Sequence, residues 1–114
     1  MDKRPEIFLQ HIWESIEWIQ KDIDGLTEDQ FMENTPIQDA VIRRFEVIGE
    51  AVRNLPEEYK EKHPEIEWNK AMAMRNILAH GYFSVDLKVV WDTAKSALSE
   101  FKKQIESIRL MDNA

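Results

Sequence analysis

Residues 68–82 read WNKAMAMRNILAHGY, and between Ala71 and Ala79 they are apolar on nearly every side of a helix. A helix that is apolar all round is usually buried. This one also carries Arg75 and Asn76, side chains that are seldom buried without a partner because an unpaired buried polar group is costly. We therefore predict a central helix whose polar groups gather where solvent, a partner chain or a ligand reaches them.

The polar residues of this stretch fall close together on the predicted helix. Asn76 and His80 are four positions apart and share one helix face, and Arg75 overlaps the edge of that face. Gly81 is suited to end the helix, which leaves Tyr82 on the next segment, free to fold back. The spacing predicts a compact patch of Arg, Asn, His and Tyr side chains at a helix end.

The composition limits the class of protein. The 114 residues predict one domain, residues 1–114, and 43% hydrophobic with 32% charged residues is typical of a globular chain. Cys is absent, and His11, His63 and His80 are too scattered to suggest a metal site. No apolar run approaches the roughly 20 residues of a membrane span, and the N-terminus lacks the plan of a signal peptide. We expect a cytoplasmic protein that has no metal or cofactor.

The net charge of −7 bears on possible partners. It argues against nucleic-acid binding over the whole surface, because contacts with phosphate dominate that affinity. A cleft on an acidic protein can nevertheless be locally positive, and an acidic surface also favours a basic partner. The sum of charges therefore leaves both kinds of partner open.

Apolar stripes predict three long helices besides the central one, over about 5–24, 35–55 and 87–111. Their predicted buried positions are Phe8, Ile12, Ile16, Ile19, Ile23 and Leu26; Ile37, Val41, Phe45, Ile48, Val52 and Leu55; and Leu87, Trp91, Ala94, Leu98, Phe101, Ile105 and Ile108. Thr27–Gln30 and Thr35–Gln38 both have the pattern of a capping box. We predict an all-α fold, a four-helix up-and-down bundle with one or two short extra helices.

On these residues the chain resembles the HEPN superfamily. More narrowly, it resembles the HepT-like toxins that pair with a minimal nucleotidyltransferase antitoxin (MntA). The resemblance rests on Arg75, four residues of which the first is the polar Asn76, then His80, one residue, and Tyr82. Residues 41–51 and the stretch from Val85 to Trp91 also look like that family, so the similarity covers most of the chain.

The resemblance implies a HEPN-like helical fold and a homodimeric, metal-independent endoribonuclease. Its two active sites would lie in or beside a cleft at the dimer interface. In such toxin–antitoxin pairs, the antitoxin transfers AMP from ATP to the tyrosine of the motif, here Tyr82, and the modification blocks the nuclease.

The side chains of the motif are consistent with that chemistry. Cleavage of RNA without a metal uses the ribose 2′-OH as the nucleophile. His80, with an ordinary pKa of roughly 6.5, would act as general base or acid, and Arg75 offers a planar fork of donors to phosphate oxygens. Asn76 would orient the imidazole or bind a phosphate oxygen. Arg43 or Arg44 would add RNA contacts if the third helix lines the dimer cleft.

Each residue also has a structural interpretation. Arg75 and His80 would form a buried hydrogen-bonded pair that holds helices together, Tyr82 would be an ordinary core or interface residue, and Arg43 and Arg44 would belong to a solvated face. The corresponding alternative function is a non-catalytic helical dimer that binds and regulates a nucleotidyltransferase.

Overall fold

The computed structural model describes residues 4–72 and 86–112, and all regular structure in these ranges is helical. In chain order the elements are α1, Pro5–Ile23; α2, Glu28–Met32; α3, Thr35–Asn54; α4, Glu57–Lys62; α5, of which residues 68–72 are described; α6, Leu87–Asp92; a π-helical turn, Thr93–Ala97; and α7, Leu98–Asp112. The predicted all-α class is confirmed. The remainder of the predicted central helix, with its motif, lies outside the described residues.

The core lies between α1, α3 and the last two helices. Most members of the predicted stripes are buried: Ile12, Ile16, Ile19 and Ile23; Val41, Phe45, Ile48, Val52 and Leu55; and Trp91, Ala94, Leu98, Phe101, Ile105 and Ile108. Leu26, Ile37 and Leu87, at the ends of the stripes, are only partly buried. The start of the α1 stripe differs from the prediction, since Leu9 is buried while Phe8 is only partly buried. The fully buried face of α1 therefore begins at Leu9.

Polar contacts show that α7 runs antiparallel to α1. Arg109 donates a hydrogen bond of 3.1 Å to Gln10, near the start of α1, and Lys102 donates one of 2.9 Å to Gln20, near its end. This direction is that of neighbouring helices in an up-and-down bundle.

Two predicted capping boxes have different outcomes. At the start of α2 the box is confirmed, because the Gln30 amide donates to the Thr27 hydroxyl over 3.1 Å and the Thr27 amide donates to the Gln30 side chain over 2.9 Å. The box predicted at Thr35–Gln38 is wrong. The cap of α3 is Asn34, whose side chain accepts a hydrogen bond from the Ile37 amide. Asn is as good an N-cap as Thr, and the cap lies one residue before the predicted Thr35.

The last helix is interrupted where a continuous one was predicted. Asp86 caps its start by accepting hydrogen bonds from the amides of Lys88 and Val89, at 3.0 and 3.4 Å. The π-helical turn at Thr93–Ala97 then separates α6 from α7. Such turns are wider than an α-helical turn and are often found at functional sites.

Two further properties concern the described ranges alone. None of their helices combines the length and the apolar character needed to cross a lipid bilayer. They also contain no group of three or more His, Asp or Glu side chains placed to bind a metal ion.

Candidate functional site

The predicted catalytic and modified residues, Arg75, Asn76, His80 and Tyr82, lie outside the described residues. Their predicted roles therefore stay predictions. The structure describes the two flanks of the segment that carries them and the position of the predicted RNA-binding residues Arg43 and Arg44 on α3.

The flank before the motif is fixed to the core by Trp68. This side chain is 7% exposed, its indole N–H donates a hydrogen bond of 3.1 Å to the His63 carbonyl, and its ring meets that of Phe101 edge to face at 6.3 Å. A buried tryptophan needs apolar contacts for its ring and a hydrogen-bond acceptor for its N–H, and Trp68 has both. The beginning of α5 is thereby held against α7.

A second tie joins the same flank to α7. The Glu67 amide donates to the side-chain oxygen of Gln104, and the Gln104 side-chain amide donates to the Glu67 carboxylate, each over 3.0 Å. Glu67 also pairs with Lys70. Hydrogen bonds from Lys70 and Gln104 to the charged carboxylate lower the pKa of Glu67. Local sequence patterns carry no signal for this contact, because Glu67 and Gln104 are 37 residues apart.

The flank after the motif is fixed by α6. Besides the Asp86 cap, Lys88 lies 3.3 Å from a Glu28 oxygen of α2 and 3.5 Å from an Asp92 oxygen. The hydrogen bond to Glu28 and the charge of Asp92 raise the pKa of Lys88. Trp91, three residues later on α6, also contacts α2 and packs against Phe31 with 5.2 Å between ring centroids. Both ends of the 73–85 segment are therefore connected to ordered, packed helices.

The two predicted RNA-binding arginines have different surroundings. Arg43 is exposed and lines a groove of about 470 Å³ between α1 and α3. The other lining residues are Phe8, His11, Glu46, Val47, Glu50, Ala51 and Asn54. Arg44 is half-buried and lies over the ring of Trp18 on α1, with its guanidinium carbon 5.6 Å from the ring centroid. Glu46 and Glu50 give the groove an acidic side, which the sequence analysis did not anticipate.

The described helices pack on both sides of the Arg-x4-His-x-Tyr segment in the sequence. An all-helical fold around this segment is that of a HEPN-like domain. A family model described as "Ribonuclease HepT-like" matches residues 12–108. The chain belongs to the HepT-like ribonuclease family.

Individual relatives are similar over almost the whole chain. "Putative RNase TTE0752" of Caldanaerobacter subterraneus is 35% identical over 106 residues, which are 93% of this chain and 95% of that protein. "Probable ribonuclease HepT" of Thermococcus cleftensis is 38% identical over 109 residues, 96% of this chain and 99% of that one.

A longer relative shares the same region. "Gamma-glutamylcyclotransferase and putative RNase MJ0434" of Methanocaldococcus jannaschii is 45% identical over 108 residues, which are 95% of this chain. The chain spans about half the length of that relative, 49%. No solved structure matches the chain.

Proposed function

We propose that the chain is an endoribonuclease that cleaves RNA through Arg75, Asn76 and His80 without a metal ion. The observation that carries the proposal is the family match over residues 12–108, because that range contains the whole motif. The structure supports it by connecting both flanks of the motif to the core, at Trp68, which packs on Phe101, and at Trp91, which packs on Phe31. A catalytic constellation needs such support to hold its geometry.

The reaction proposed is a transesterification within the RNA strand. The 2′-oxygen attacks the neighbouring phosphorus, the bond from phosphorus to the 5′-oxygen breaks, and a 2′,3′-cyclic phosphate and a 5′-hydroxyl result. His80 takes the proton from the 2′-hydroxyl or gives one to the leaving oxygen. Arg75 neutralises the charge on the phosphate oxygens, and Asn76 orients the imidazole or binds one of those oxygens.

A homodimer suits this chemistry. One proton must be removed and another delivered, while each motif contains one histidine. Two copies of His80 facing one RNA strand would supply both groups. We therefore propose that the active unit is a homodimer whose motifs face a common cleft.

Regulation is proposed at Tyr82 by a partner nucleotidyltransferase of the MntA type. The phenolic oxygen attacks the α-phosphorus of ATP, pyrophosphate leaves, and the tyrosine carries AMP. The added phosphate is negative, so it opposes the entry of an RNA phosphate and also occupies space beside His80. The chain would then be the toxin of a toxin–antitoxin pair in the cytoplasm.

The test is cleavage of RNA in EDTA by the wild type and by His80→Ala, Arg75→Ala and His11→Ala. We expect His80→Ala to slow cleavage by about 100- to 10,000-fold and Arg75→Ala by about 100- to 1,000-fold. His11→Ala is the matched control, because His11 is exposed on α1, and we expect it to cleave like the wild type.

Equal rates for all four proteins would refute the assignment of the site. If the wild type leaves RNA intact but co-purifies with a nucleotidyltransferase, the non-catalytic dimer that regulates that enzyme is the better interpretation. Intact mass after incubation with ATP and that partner tests Tyr82, since added AMP should be absent from Tyr82→Phe.

A further inference from the structure

An exposed aromatic and basic cluster lies where α1 faces α3. Trp18 is 46% exposed, more than the other exposed large hydrophobic residues of the described ranges, Ile7 at 39% and Val89 at 36%. Lys21 places its ammonium 5.1 Å from the Trp18 ring centroid, and Arg44 places its guanidinium carbon 5.6 Å from it. We call Trp18, Lys21 and Arg44 the Trp18 cluster.

The cations of this cluster are not neutralised by carboxylates. Within the described part of the chain, neither Lys21 nor Arg44 forms an ion pair, and neither does Arg43, the exposed neighbour of Arg44. Acidic residues are nearby in the sequence, at Glu14 and Asp22, one helical turn before and after Trp18. Lys21 and Arg44 therefore keep two cations beside the exposed ring, among the carboxylates of Glu14, Glu17 and Asp22 on the same helix as Trp18.

The contact with Trp18 prepares Arg44 for an anion. A guanidinium that lies over an aromatic ring makes a cation–π contact, which leaves its N–H donors available to phosphate oxygens. Because this contact also restricts the rotamers of a long side chain, less conformational entropy is lost when the anion binds. A phosphate is thus a better partner for Arg44 than its exposure alone suggests.

We propose that the Trp18 cluster is an accessory binding site for single-stranded RNA, where Arg44 and Lys21 hold backbone phosphate and the part of the Trp18 ring that these two cations leave exposed packs on an unpaired base. The proposal rests on the proposed function, because it takes RNA to be the substrate. Aromatic rings combined with cations are how proteins bind single strands with little sequence preference. A duplex keeps its bases stacked inside, so it offers Trp18 no free base face.

The surface of the cluster favours a nucleic acid over an acidic protein for one reason. An acidic peptide would use the two cations but would leave the exposed part of the indole without a flat partner. An unpaired nucleotide supplies the anion and the ring together. A protein partner remains a possible occupant, and the experiment is designed to reveal it.

The experiment measures RNA binding rather than cleavage. Fluorescence anisotropy follows an unstructured, fluorescein-labelled oligoribonucleotide of about 20 nucleotides, a length that covers an ordinary single-strand site. All proteins carry His80→Ala so that the RNA stays intact. Trp18→Ala and Arg44→Ala are compared with Lys95→Ala, a matched control whose ammonium also lies over an indole, 5.3 Å from the ring centroid of the 7%-exposed Trp91.

We expect Trp18→Ala to weaken binding of the single strand by about 5- to 30-fold, since stacking of one base is of that order. Arg44→Ala should weaken it and lower the slope of log K against log salt by about 0.7, the loss of one phosphate contact on a single strand. Lys95→Ala should change the affinity by less than about twofold. Neither cluster variant should alter the binding of a blunt RNA duplex.

Two results would overturn the proposal. One is equal affinity of Trp18→Ala, Arg44→Ala and Lys95→Ala for the single strand. The other is a lower mass in solution for Trp18→Ala by light scattering, which would mean that the cluster contacts a second protein chain. If Trp18→Ala fails to fold, Arg44→Gln carries the same test. The binding assay does not depend on cleavage. If RNA binds through the cluster but the wild type cleaves no RNA, only the proposed function is refuted.

Discussion

Gln38 is the side chain whose replacement tests the packing of α2 on α3 most directly. It is 8% exposed, and its side-chain amide donates two hydrogen bonds, of 2.9 Å to the Phe31 carbonyl and 3.0 Å to the Met32 carbonyl. Those carbonyls belong to the last turn of α2, where carbonyls have no partner in a following turn of the helix; the Phe31 carbonyl also accepts a hydrogen bond from the Asn34 amide. Gln38 was predicted to help cap the start of α3. Its side chain instead caps the end of α2.

The expected loss follows from these two bonds. Gln38→Met keeps the length of the side chain and removes both donors. A net contribution of about 0.5–1.5 kcal/mol for each bond predicts that the free energy of unfolding falls by about 1–3 kcal/mol. For a domain of this size, Tm should fall by about 4 °C for each kcal/mol. The Phe31 carbonyl keeps the Asn34 amide at 3.1 Å, so the Met32 carbonyl accounts for more of the loss.

Gln38→Glu also removes the amide donors to the two carbonyls, and when it is ionised it places a negative charge beside them. An ionised carboxylate has no donor for the two carbonyls, and burial raises the pKa of the introduced carboxyl above its ordinary value of about 4.3. The protonated form donates one bond that Gln38→Met lacks, so the variant is most stable relative to Gln38→Met below about pH 4. Its stability relative to Gln38→Met should fall as pH rises from there through the raised pKa, and should then stay constant.

Urea denaturation followed by far-UV circular dichroism measures both variants. Gln10→Met is the control, because it makes the same chemical change at an exposed position of α1 and should change stability by less than about 0.5 kcal/mol. Equal urea midpoints for Gln38→Met and Gln10→Met would refute the reasoning. A pH-independent difference between Gln38→Glu and Gln38→Met would refute the part that concerns charge.

Two further predictions concern stability. Ser15 is 1% exposed and its hydroxyl has no hydrogen-bond partner in the described structure, so Ser15→Ala should raise the free energy of unfolding by about 1 kcal/mol; a lower urea midpoint would contradict this. The bonds from Lys70 and Gln104 lower the pKa of Glu67 below its ordinary 4.5, so Glu67 stabilises the fold above that pH and ceases to do so as pH falls through the lowered pKa. Glu67→Gln should lose less stability than the wild type as pH falls through the lowered pKa. Parallel curves of stability against pH for the two proteins would contradict this prediction.

Features set by neighbouring residues were predictable from the sequence. The buried stripe Val41, Phe45, Ile48, Val52 was predictable because positions three and four apart on a helix face the same side whatever they pack against. The Thr27 cap was predictable for the same reason, as its partner is three residues away. Such signals need no knowledge of the rest of the fold.

Features set by distant residues were not predictable. Gln38 fits the end of a capping box, yet its amide bonds the end of α2, because two carbonyls there need a donor and Asn34 already caps α3. The pairing of Glu67 with Gln104 has no local pattern at all. The candidate site follows the same rule. Residue type and spacing along the sequence indicate its motif, whereas the contact of Trp68 with Phe101, 33 residues later, is visible only in the structure.

The arrangement of the cations explains how a chain of net charge −7 can still suit a polyanion. Five basic side chains of the described ranges lie over indole rings, Lys21 and Arg44 at Trp18, Lys102 and Arg109 at Trp13, and Lys95 at Trp91. Two of them, Lys102 and Arg109, also donate hydrogen bonds to the neutral side chains of Gln20 and Gln10. An indole face holds a cation without cancelling its charge, whereas a carboxylate would cancel it. Attraction for phosphate depends on charges within about a Debye length, roughly 8 Å at physiological salt, and not on the sum over the chain. The RNA contact proposed at the Trp18 cluster therefore depends on the cations held there and does not require a basic total.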